Sequence, residues 1–243
     1  MIIVHLSDLH FGMPEYVEKL GENVSKKIEQ IKPELLIITG DITDCGYLED
    51  YEEAKKFIDL LKSEKKLIVP GNHDARNAGY LLFEEFFKTR YPVMKIGNLK
   101  IVGVDSSEPD IDDGHIGRST YNFVRRELKG VPLKIVVLHH HLIPVPNTGR
   151  ERNIPVDAVD FLKLIGELHV NLVLWGHKHV PWFWKLNGTL MVNAGTATTR
   201  RTKARIEPSF NVINLNETST KIIIKQISSK TLKEKIIYKG MLK

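Results

Sequence analysis

The chain has 243 residues, of which 42% are hydrophobic and 27% charged, with a net charge of +5 and one cysteine. This composition is typical of a globular protein, and the length favours a single domain spanning residues 1–243. No apolar run approaches the roughly 20 residues of a membrane helix, which argues against a membrane association, and a lone cysteine excludes an internal disulfide and fits a reducing, cytoplasmic environment.

In the N-terminal half, short apolar runs alternate with segments of helical periodicity. Strands are predicted over residues 2–6, 35–38 and 67–69. Helices are predicted over residues 16–31, 48–61 and 80–87. This alternation is typical of parallel strands joined by crossover helices.

Strands become more frequent in the second half. Hairpins are predicted over residues 93–104, around Gly97-Asn98, and over residues 182–192, around Asn187-Gly188. Further strands are predicted over residues 134–138, 172–175, 210–215, 221–227 and 235–238, and helices over residues 119–128 and 157–168. This order, first alternating and then mostly β, predicts two packed sheets with helices on the outside.

Five polar blocks follow predicted strands. They are Asp8-Leu9-His10, Gly40-Asp41, Gly71-Asn72-His73-Asp74, His139 and Gly176-His177-Lys178-His179. In open α/β sheets, ligands bind at the carboxyl ends of the strands. We therefore expect oxygen donors and imidazoles to converge there. This mixture of donors suits Mn, Fe or Zn better than Ca or Mg.

One carboxylate can serve two metal ions, because its two oxygens can bridge ions about 3.5–4 Å apart. Asp41 is the candidate for this role. Asn72 can offer only a neutral amide oxygen. His177 and His179 lie two residues apart, so they can point to the same side of an extended segment.

The order and types of these residues resemble the pattern of the calcineurin-like metallophosphoesterase superfamily, namely D-x-H, G-D, G-N-H-[DE], a histidine after a strand and G-H-x-H. Asn193-Ala194-Gly195-Thr196 is similar to the segment that closes this pattern. The resemblance implies a four-layer αββα sandwich of two mixed β-sheets flanked by helices. It also implies two divalent or mixed-valence metal ions, one held by Asp8, His10, Asp41 and His179 and the other by Asp41, Asn72, His139 and His177.

The same resemblance implies hydrolysis by a metal-bound hydroxide, with His73 as a catalytic imidazole that does not bind metal. His73 could donate a proton to the leaving oxygen or bind a phosphate oxygen. Asp74 could orient the His73 ring or cap a helix, and together with Arg76 and His140 it is a candidate substrate-binding residue. Arg76 could contact a phosphate or form a surface ion pair, and His140 could line the mouth of the site or make local hydrogen bonds.

The run V-P-G-N-H-D-A-R, ending at Arg76, resembles the bacterial cyclic-nucleotide phosphodiesterase branch. We therefore expect a small phosphodiester substrate, with 3',5'-cyclic nucleotides as the leading case. Asp44 stands where the break-repair nuclease branch has a histidine, which disfavours that nuclease. A nuclease, a phosphomonoesterase or a phosphoprotein phosphatase remains an alternative, because loops select the substrate. A non-catalytic scaffold, like the retromer subunit of this fold, is less favoured because all seven ligands are kept.

Two surface features allow two interpretations each. Residues 221–243 contain seven lysines and one acid, Glu234, so their charge of +6 exceeds the net charge of +5 of the whole chain. Lysines protect edge strands from aggregation but can also bind nucleic acid, and we favour the first role. Trp182 and Trp184 could stack on a base or simply pack in the hairpin, and packing is favoured. No feature of the sequence indicates an oligomeric state.

Overall fold

The computed structural model describes residues 1–203 and 205–242, which contain twelve strands and five helices. The strands are β1 (Ile2–Leu6), β2 (Leu35–Thr39), β3 (Lys65–Val69), β4 (Val93–Ile96), β5 (Leu99–Gly103), β6 (Leu133–Val137), β7 (Leu172–Trp175), β8 (Trp182–Leu186), β9 (Thr189–Asn193), β10 (Ser209–Leu215), β11 (Lys221–Ser228) and β12 (Glu234–Met241). The helices are α1 (Glu18–Ile31), α2 (Leu48–Leu60), α3 (Gly79–Phe87), α4 (Arg118–Leu128) and α5 (Ala158–Glu167).

The strands form two six-stranded sheets. The first has the order β12-β11-β10-β1-β2-β3, and the second has the order β4-β5-β6-β7-β9-β8. In the first sheet β1, β2 and β3 are parallel, whereas β10, β11 and β12 pair antiparallel. In the second sheet β5, β6, β7 and β9 are parallel, with β4 and β8 antiparallel at the two edges. Both sheets are therefore mixed, as predicted.

Three apolar clusters define the layers. The central cluster joins side chains of both sheets, such as Ile37 and Ile135, so the sheets pack face to face. A second cluster packs α1, α2 and α3 on the outer face of the first sheet, and a third packs α4 and α5 on the second. The predicted αββα sandwich is confirmed. Strands such as β2 are buried along their whole length because each sheet is covered on both faces.

Helices α1 and α4 begin at residues other than those predicted, because contacts with distant residues determine where they start. Helix α1 begins at Glu18, two residues later than expected, since the Val17 amide donates to the Thr198 carbonyl at 2.9 Å. No side chain of the Arg118-Ser119 region caps α4. Instead, the carboxylate of Asp157 accepts hydrogen bonds from the two amides that precede α4, at 3.1 and 2.9 Å.

The lysine-rich C-terminal segment forms β11 and β12, and β12 is the outer strand of its sheet. Lys225 and Lys27 both contact Glu234, at 2.9 and 2.8 Å. This placement matches the favoured interpretation of lysines that protect a sheet edge. Within the described ranges, no helix is both long enough and apolar enough to cross a bilayer.

Candidate metal centre

The predicted ligands lie in five loops that follow parallel strands. Asp8 and His10 follow β1, Asp41 follows β2, and Asn72 follows β3 in the first sheet. In the second sheet His139 follows β6, and His177 and His179 follow β7. Since the carboxyl ends of these strands meet at one edge of the sandwich, the loops of both sheets bring their polar side chains together there.

Five of these residues have left-handed backbone conformations. The φ angles are 54° at Asp8, 50° at His10, 49° at Asp41, 72° at His177 and 55° at His179. Positive φ is uncommon outside glycine, although aspartate and histidine tolerate it better than most residues. Such conformations concentrate at functional sites, where the surrounding structure holds them. All five residues lie in the loops that follow β1, β2 and β7.

Gly176 allows the loop after β7 to approach the loop after β1. A Cβ atom at this position would lie 1.8 Å from Ser7 Oγ and 2.6 Å from Asp8 Oδ2. The His177 amide donates to both carboxylate oxygens of Asp8, at 3.2 and 3.1 Å. Only glycine therefore permits this contact between the two sheets.

The side chains form two adjacent clusters. In the first, His179 Nε2 lies 3.1 Å from Asp8 Oδ1 and 3.0 Å from His10 Nε2. In the second, His177 Nδ1 lies 3.1 Å from His139 Nε2 and 3.0 Å from Asn72 Oδ1.

Asp41 lies between the two clusters. Its Oδ2 is 3.7 Å from His10 Nε2 and 3.3 Å from His139 Nε2. Burial opposes ionisation of Asp41, but His139 and His73 hold its pKa well below the usual range. Burial likewise opposes the charge of His139, but Asp41 raises its pKa to about 9. The carboxylate is therefore ionised and faces imidazoles of both clusters.

In His139 and His179, the hydrogen bond of Nδ1 leaves Nε2 as the nitrogen that faces the clusters and can bind a metal ion. His139 Nδ1 donates to the Thr39 carbonyl at 2.7 Å, and His179 Nδ1 donates to the Arg201 carbonyl. A metal ion that binds Nε2 displaces any proton there, and because the proton on Nδ1 is held by the carbonyl, the resulting neutral ring directs its lone pair at the ion. The inner nitrogens lie close to other acceptor atoms. A cation would satisfy these lone pairs, so the donor set fits metal ions.

His73 lies beside the clusters and contacts Asp44 and Arg76. Its Nδ1 is 2.7 Å from the Asp44 carbonyl and 3.0 Å from Asp44 Oδ1. Burial alone would lower the pKa of His73, but Asp41 and Asp44 raise it above the ordinary value. Arg76 Nη1 is 2.9 Å from the same ring nitrogen, and Arg76 Nη2 donates to Asp112 at 2.8 Å.

Asp74 has a position that the sequence did not predict. It is fully buried, and it neither caps α3, whose N-cap is Ala78, nor contacts a substrate cavity. Its carboxylate accepts backbone hydrogen bonds from Ile42, Thr43 and Gly71. Both oxygens are used to join the turns after β2 and β3, which leaves a substrate contact of Asp74 without support from the structure.

His140 makes local hydrogen bonds and is not among the residues that line the cavity described below. It is fully buried, with Nδ1 2.8 Å from Ser106 Oγ and Nε2 3.2 Å from the Asp112 carbonyl. Both ring nitrogens are thus engaged by the protein, as in the alternative of local hydrogen bonds. Burial lowers the pKa of His140 to about 3, so the ring is neutral.

A cavity of about 370 Å³ opens over the clusters. Of the predicted residues, Asp41, Asn72, His73, Arg76, His177 and His179 line it. The sequence analysis missed the lining residues Lys178, Arg201 and Lys203. The run Arg200-Arg201-Thr202-Lys203 after the closing motif was the available signal. Trp182 and Trp184 are not in the lining, and Trp184 donates to the Pro144 carbonyl at 3.0 Å.

Comparisons with known proteins identify relatives of this chain. The family model described as Calcineurin-like phosphoesterase matches residues 1–181. A 3',5'-cyclic-nucleotide phosphodiesterase of Nostoc sp. is 29% identical over 189 residues, which cover 73% of this chain and 71% of the relative. A protein of Arcobacter nitrofigilis named "Probable glycerophosphodiester phosphodiesterase GpdQ" is 31% identical over 198 residues, covering 74% and 72% of the two chains.

Among solved structures, the fold is similar to that of purple acid phosphatase PPD1 from yellow lupin, with a TM-score of 0.72 and 14% sequence identity. The match covers 97% of this chain and 52% of the lupin chain. The predicted family resemblance is confirmed, including relatives that carry the name cyclic-nucleotide phosphodiesterase.

Proposed function

We propose that this chain, which belongs to the calcineurin-like phosphoesterase family, is a dinuclear metal-dependent phosphodiesterase that hydrolyses small phosphodiesters. The observation that carries the proposal is that Asp41 lies between two clusters of ligand side chains beneath one cavity. Three groups of side chains could each hold a metal ion, namely Asp8-His10-His179, His10-Asp41-His73 and Asp41-His139-His177. Strands β10, β11 and β12 complete the sheet that presents Asp8 and Asp41, which supports treating residues 1–243 as one domain. The single cysteine supports a cytoplasmic location.

We assign one metal ion to Asp8, His10, Asp41 and His179, and the other to Asp41, Asn72, His139 and His177. The donor contacts near 3 Å within each cluster support these sets. Asp41 would bridge, because its carboxylate lies near imidazoles of both clusters. Imidazole and carboxylate donors together favour Mn, Fe or Zn. When bound, two such ions supply Lewis acidity to the phosphoryl group and to a water nucleophile.

His73 is our candidate for the general acid. Asp44 accepts the hydrogen bond of the Nδ1–H group, which leaves Nε2 as the nitrogen that can donate a proton in the reaction. The raised pKa favours a protonated ring, which can donate to the leaving oxygen of the ester. Arg76 lines the same cavity and is positioned to neutralise charge on the phosphoryl oxygens.

Small diesters are favoured over polymers by the size of the cavity. A volume of about 370 Å³ lies at the lower end of the range of about 300–1,000 Å³ typical of small-molecule sites. The names of the Nostoc and Arcobacter relatives support 3',5'-cyclic nucleotides first and glycerophosphodiesters second. The full set of ligands and His73 argues against a non-catalytic scaffold.

A substrate panel with Mn²⁺ tests the function. It contains bis(p-nitrophenyl) phosphate, cyclic AMP, cyclic GMP, glycerophosphodiesters, phosphomonoesters and DNA. We expect turnover of small diesters to exceed that of DNA and of monoesters, and to be lost in His139→Ala but kept in the surface control Lys95→Gln. If the panel shows no turnover with bound metal, the scaffold interpretation is correct. Faster hydrolysis of DNA or of phosphomonoesters would favour the nuclease or the phosphatase alternative.

A further inference from the structure

Five cations line the side of the cavity next to His179. We call them the basic rim, and they are Arg150, Arg152, Lys178, Arg201 and Lys203. They come from three separate loops, which connect β6 to α5, β7 to β8, and β9 to β10. The backbone of Arg201 accepts the hydrogen bond of His179 Nδ1, so the rim adjoins the first cluster directly. Arg76, on the other side of the cavity, is paired with Asp112.

The basic rim carries more positive charge than its surroundings neutralise. The carboxylates that line the cavity are Asp41, between the clusters, and Asp112, which binds Arg76 and Asn72. Glu151 contacts Lys178 at 3.0 Å and also accepts from His141 at 2.6 Å. Within the described residues, 1–203 and 205–242, no other ion pair involves a side chain of the basic rim.

Lys203 shows the effect of this imbalance. Burial first, and then the charges of Lys178 and Arg201, lower its pKa, although Asp8 and Glu151 act in the opposite direction. Like charges held together in a partly buried site repel one another, and an anion in their midst relieves the repulsion. A phosphodiester with one charge would already be engaged at the clusters, by His73 and by Arg76. The rim therefore has capacity for a second anionic group.

We propose that the basic rim is a binding subsite for a second phosphate on the substrate. This inference rests on the phosphodiesterase function proposed above and extends its substrates from cyclic nucleotides, which carry one phosphate, to small diesters that carry a second one. The scissile diester lies at the clusters, and a further phosphate of the same molecule lies against Arg201 and Lys203. Guanidinium and ammonium groups suit this role because they form charge-assisted hydrogen bonds to phosphate oxygens. The cavity volume limits such substrates to short molecules.

A matched pair of dinucleotides tests the subsite. TpT and its 5'-phosphorylated form pTpT differ only in one terminal phosphate, and chromatography of the products counts cleavage of the internal diester. With Mn-loaded enzyme we expect kcat/KM to be about tenfold higher for pTpT, equivalent to roughly 1.4 kcal/mol. In Arg201→Gln/Lys203→Gln the preference should fall to about twofold or less, a loss of roughly 1 kcal/mol. The backbone carbonyl that holds His179 remains in this variant.

Lys185→Gln is the matched control, because Lys185 is an exposed lysine on β8 outside the cavity. It should keep the full preference for pTpT. Binding gives a readout that does not depend on turnover. By calorimetry with Mn-loaded His73→Ala, pTpT should bind more tightly than TpT by the same factor. Introducing Arg201→Gln and Lys203→Gln into that protein should remove the difference.

The trinucleotide TpTpT distinguishes two sources of the second phosphate. If kcat/KM rises over that of TpT equally for TpTpT and for pTpT, the subsite accepts any phosphate, including one inside a short chain. If kcat/KM rises for pTpT alone, the subsite is specific for a terminal monoester. Equal kcat/KM and equal binding for TpT and pTpT would overturn the subsite even if bis(p-nitrophenyl) phosphate is hydrolysed. If no diester is hydrolysed, the phosphodiesterase function fails, while calorimetry still decides on the subsite.

Discussion

Asp74 offers a sharp test of how the centre is supported. Its Oδ1 accepts hydrogen bonds from the amide and hydroxyl of Thr43, at 2.8 and 3.0 Å. Its Oδ2 accepts from the amides of Gly71 and Ile42, at 2.9 and 3.1 Å. These bonds join the turn that carries Asp41 to the turn that carries Asn72. Removing the carboxylate should therefore weaken both the fold and the binding of metal.

The expected magnitudes follow from the donors left without an acceptor. Asp74→Ala leaves three amides unsatisfied, and a buried unsatisfied donor costs about 1–3 kcal/mol, so we expect a loss of about 3 kcal/mol or more. Asp74→Asn is milder. With its amide nitrogen in place of Oδ1, only the Thr43 amide loses its acceptor, because the Thr43 hydroxyl can turn and accept. We expect this variant to lose about 1–3 kcal/mol.

Urea unfolding of the metal-free proteins measures these losses, and titration with Mn²⁺ measures the change in affinity. The control is Asp113→Asn, which removes an exposed carboxylate near the cavity and should change stability by less than about 0.5 kcal/mol. If Asp74→Ala loses no more than this control, the linking role of Asp74 is refuted. Unchanged Mn²⁺ affinity in a destabilised Asp74→Ala would show that the two turns hold their positions without it.

Three further predictions concern the acid, a buried histidine and a close approach. His73→Ala should keep its metal and lose about 10²–10⁴-fold in kcat on an alkyl or ribose ester, but less on a p-nitrophenyl ester, and equal losses would indicate phosphate binding instead. Burial lowers the pKa of His5 to about 3. Because the unfolded chain takes up a proton that the folded chain excludes, the contribution of His5 is complete above pH ~6.5 and is lost as the pH falls towards 3. Between pH 8 and pH 5, the metal-free His5→Gln variant should therefore lose about 2 kcal/mol less stability to urea unfolding than the unsubstituted protein. An equal loss in the two proteins would contradict this. Gly176→Ala should weaken Mn²⁺ binding because its methyl group meets Ser7 and Asp8, whereas Gly166→Ala, with open space around its Cβ, should not, and equal affinities would refute the steric argument.

Much of the fold follows from the sequence because its signals are local. The apolar run of β2 and the turns at Gly97 and Asn187 mark strands and hairpins without knowledge of the rest of the chain. The metal-ligand candidates were also identifiable, since each follows a strand and belongs to a recurring pattern. Their positive φ angles were not predicted, because they depend on contacts between loops of different sheets.

The surroundings of the site were harder to predict because they depend on long-range contacts. From the sequence, Asp74 is a candidate to orient the ring of its neighbour His73. In the structure, its carboxylate oxygens accept hydrogen bonds from amides in the loop after β2, about thirty residues away. From the sequence, Asp44 is only a departure from a nuclease pattern. In the structure, its carboxylate contacts both His73 and His10. Arg201 and Lys203 reach the cavity only because β9 lies beside β7 in the second sheet. None of these relations has a periodicity or spacing that sequence analysis can detect.

The metal content of the saturated protein tests the central claim most directly. After loading with excess Mn²⁺ and removal of free metal, elemental analysis should approach two ions per chain, and Asp41→Asn should retain fewer. The reason is that Asp41 lies within 3.7 Å of His10 and 3.3 Å of His139, so it can serve both ions. One ion per chain at saturation, unchanged in Asp41→Asn, would contradict the bridged dinuclear centre.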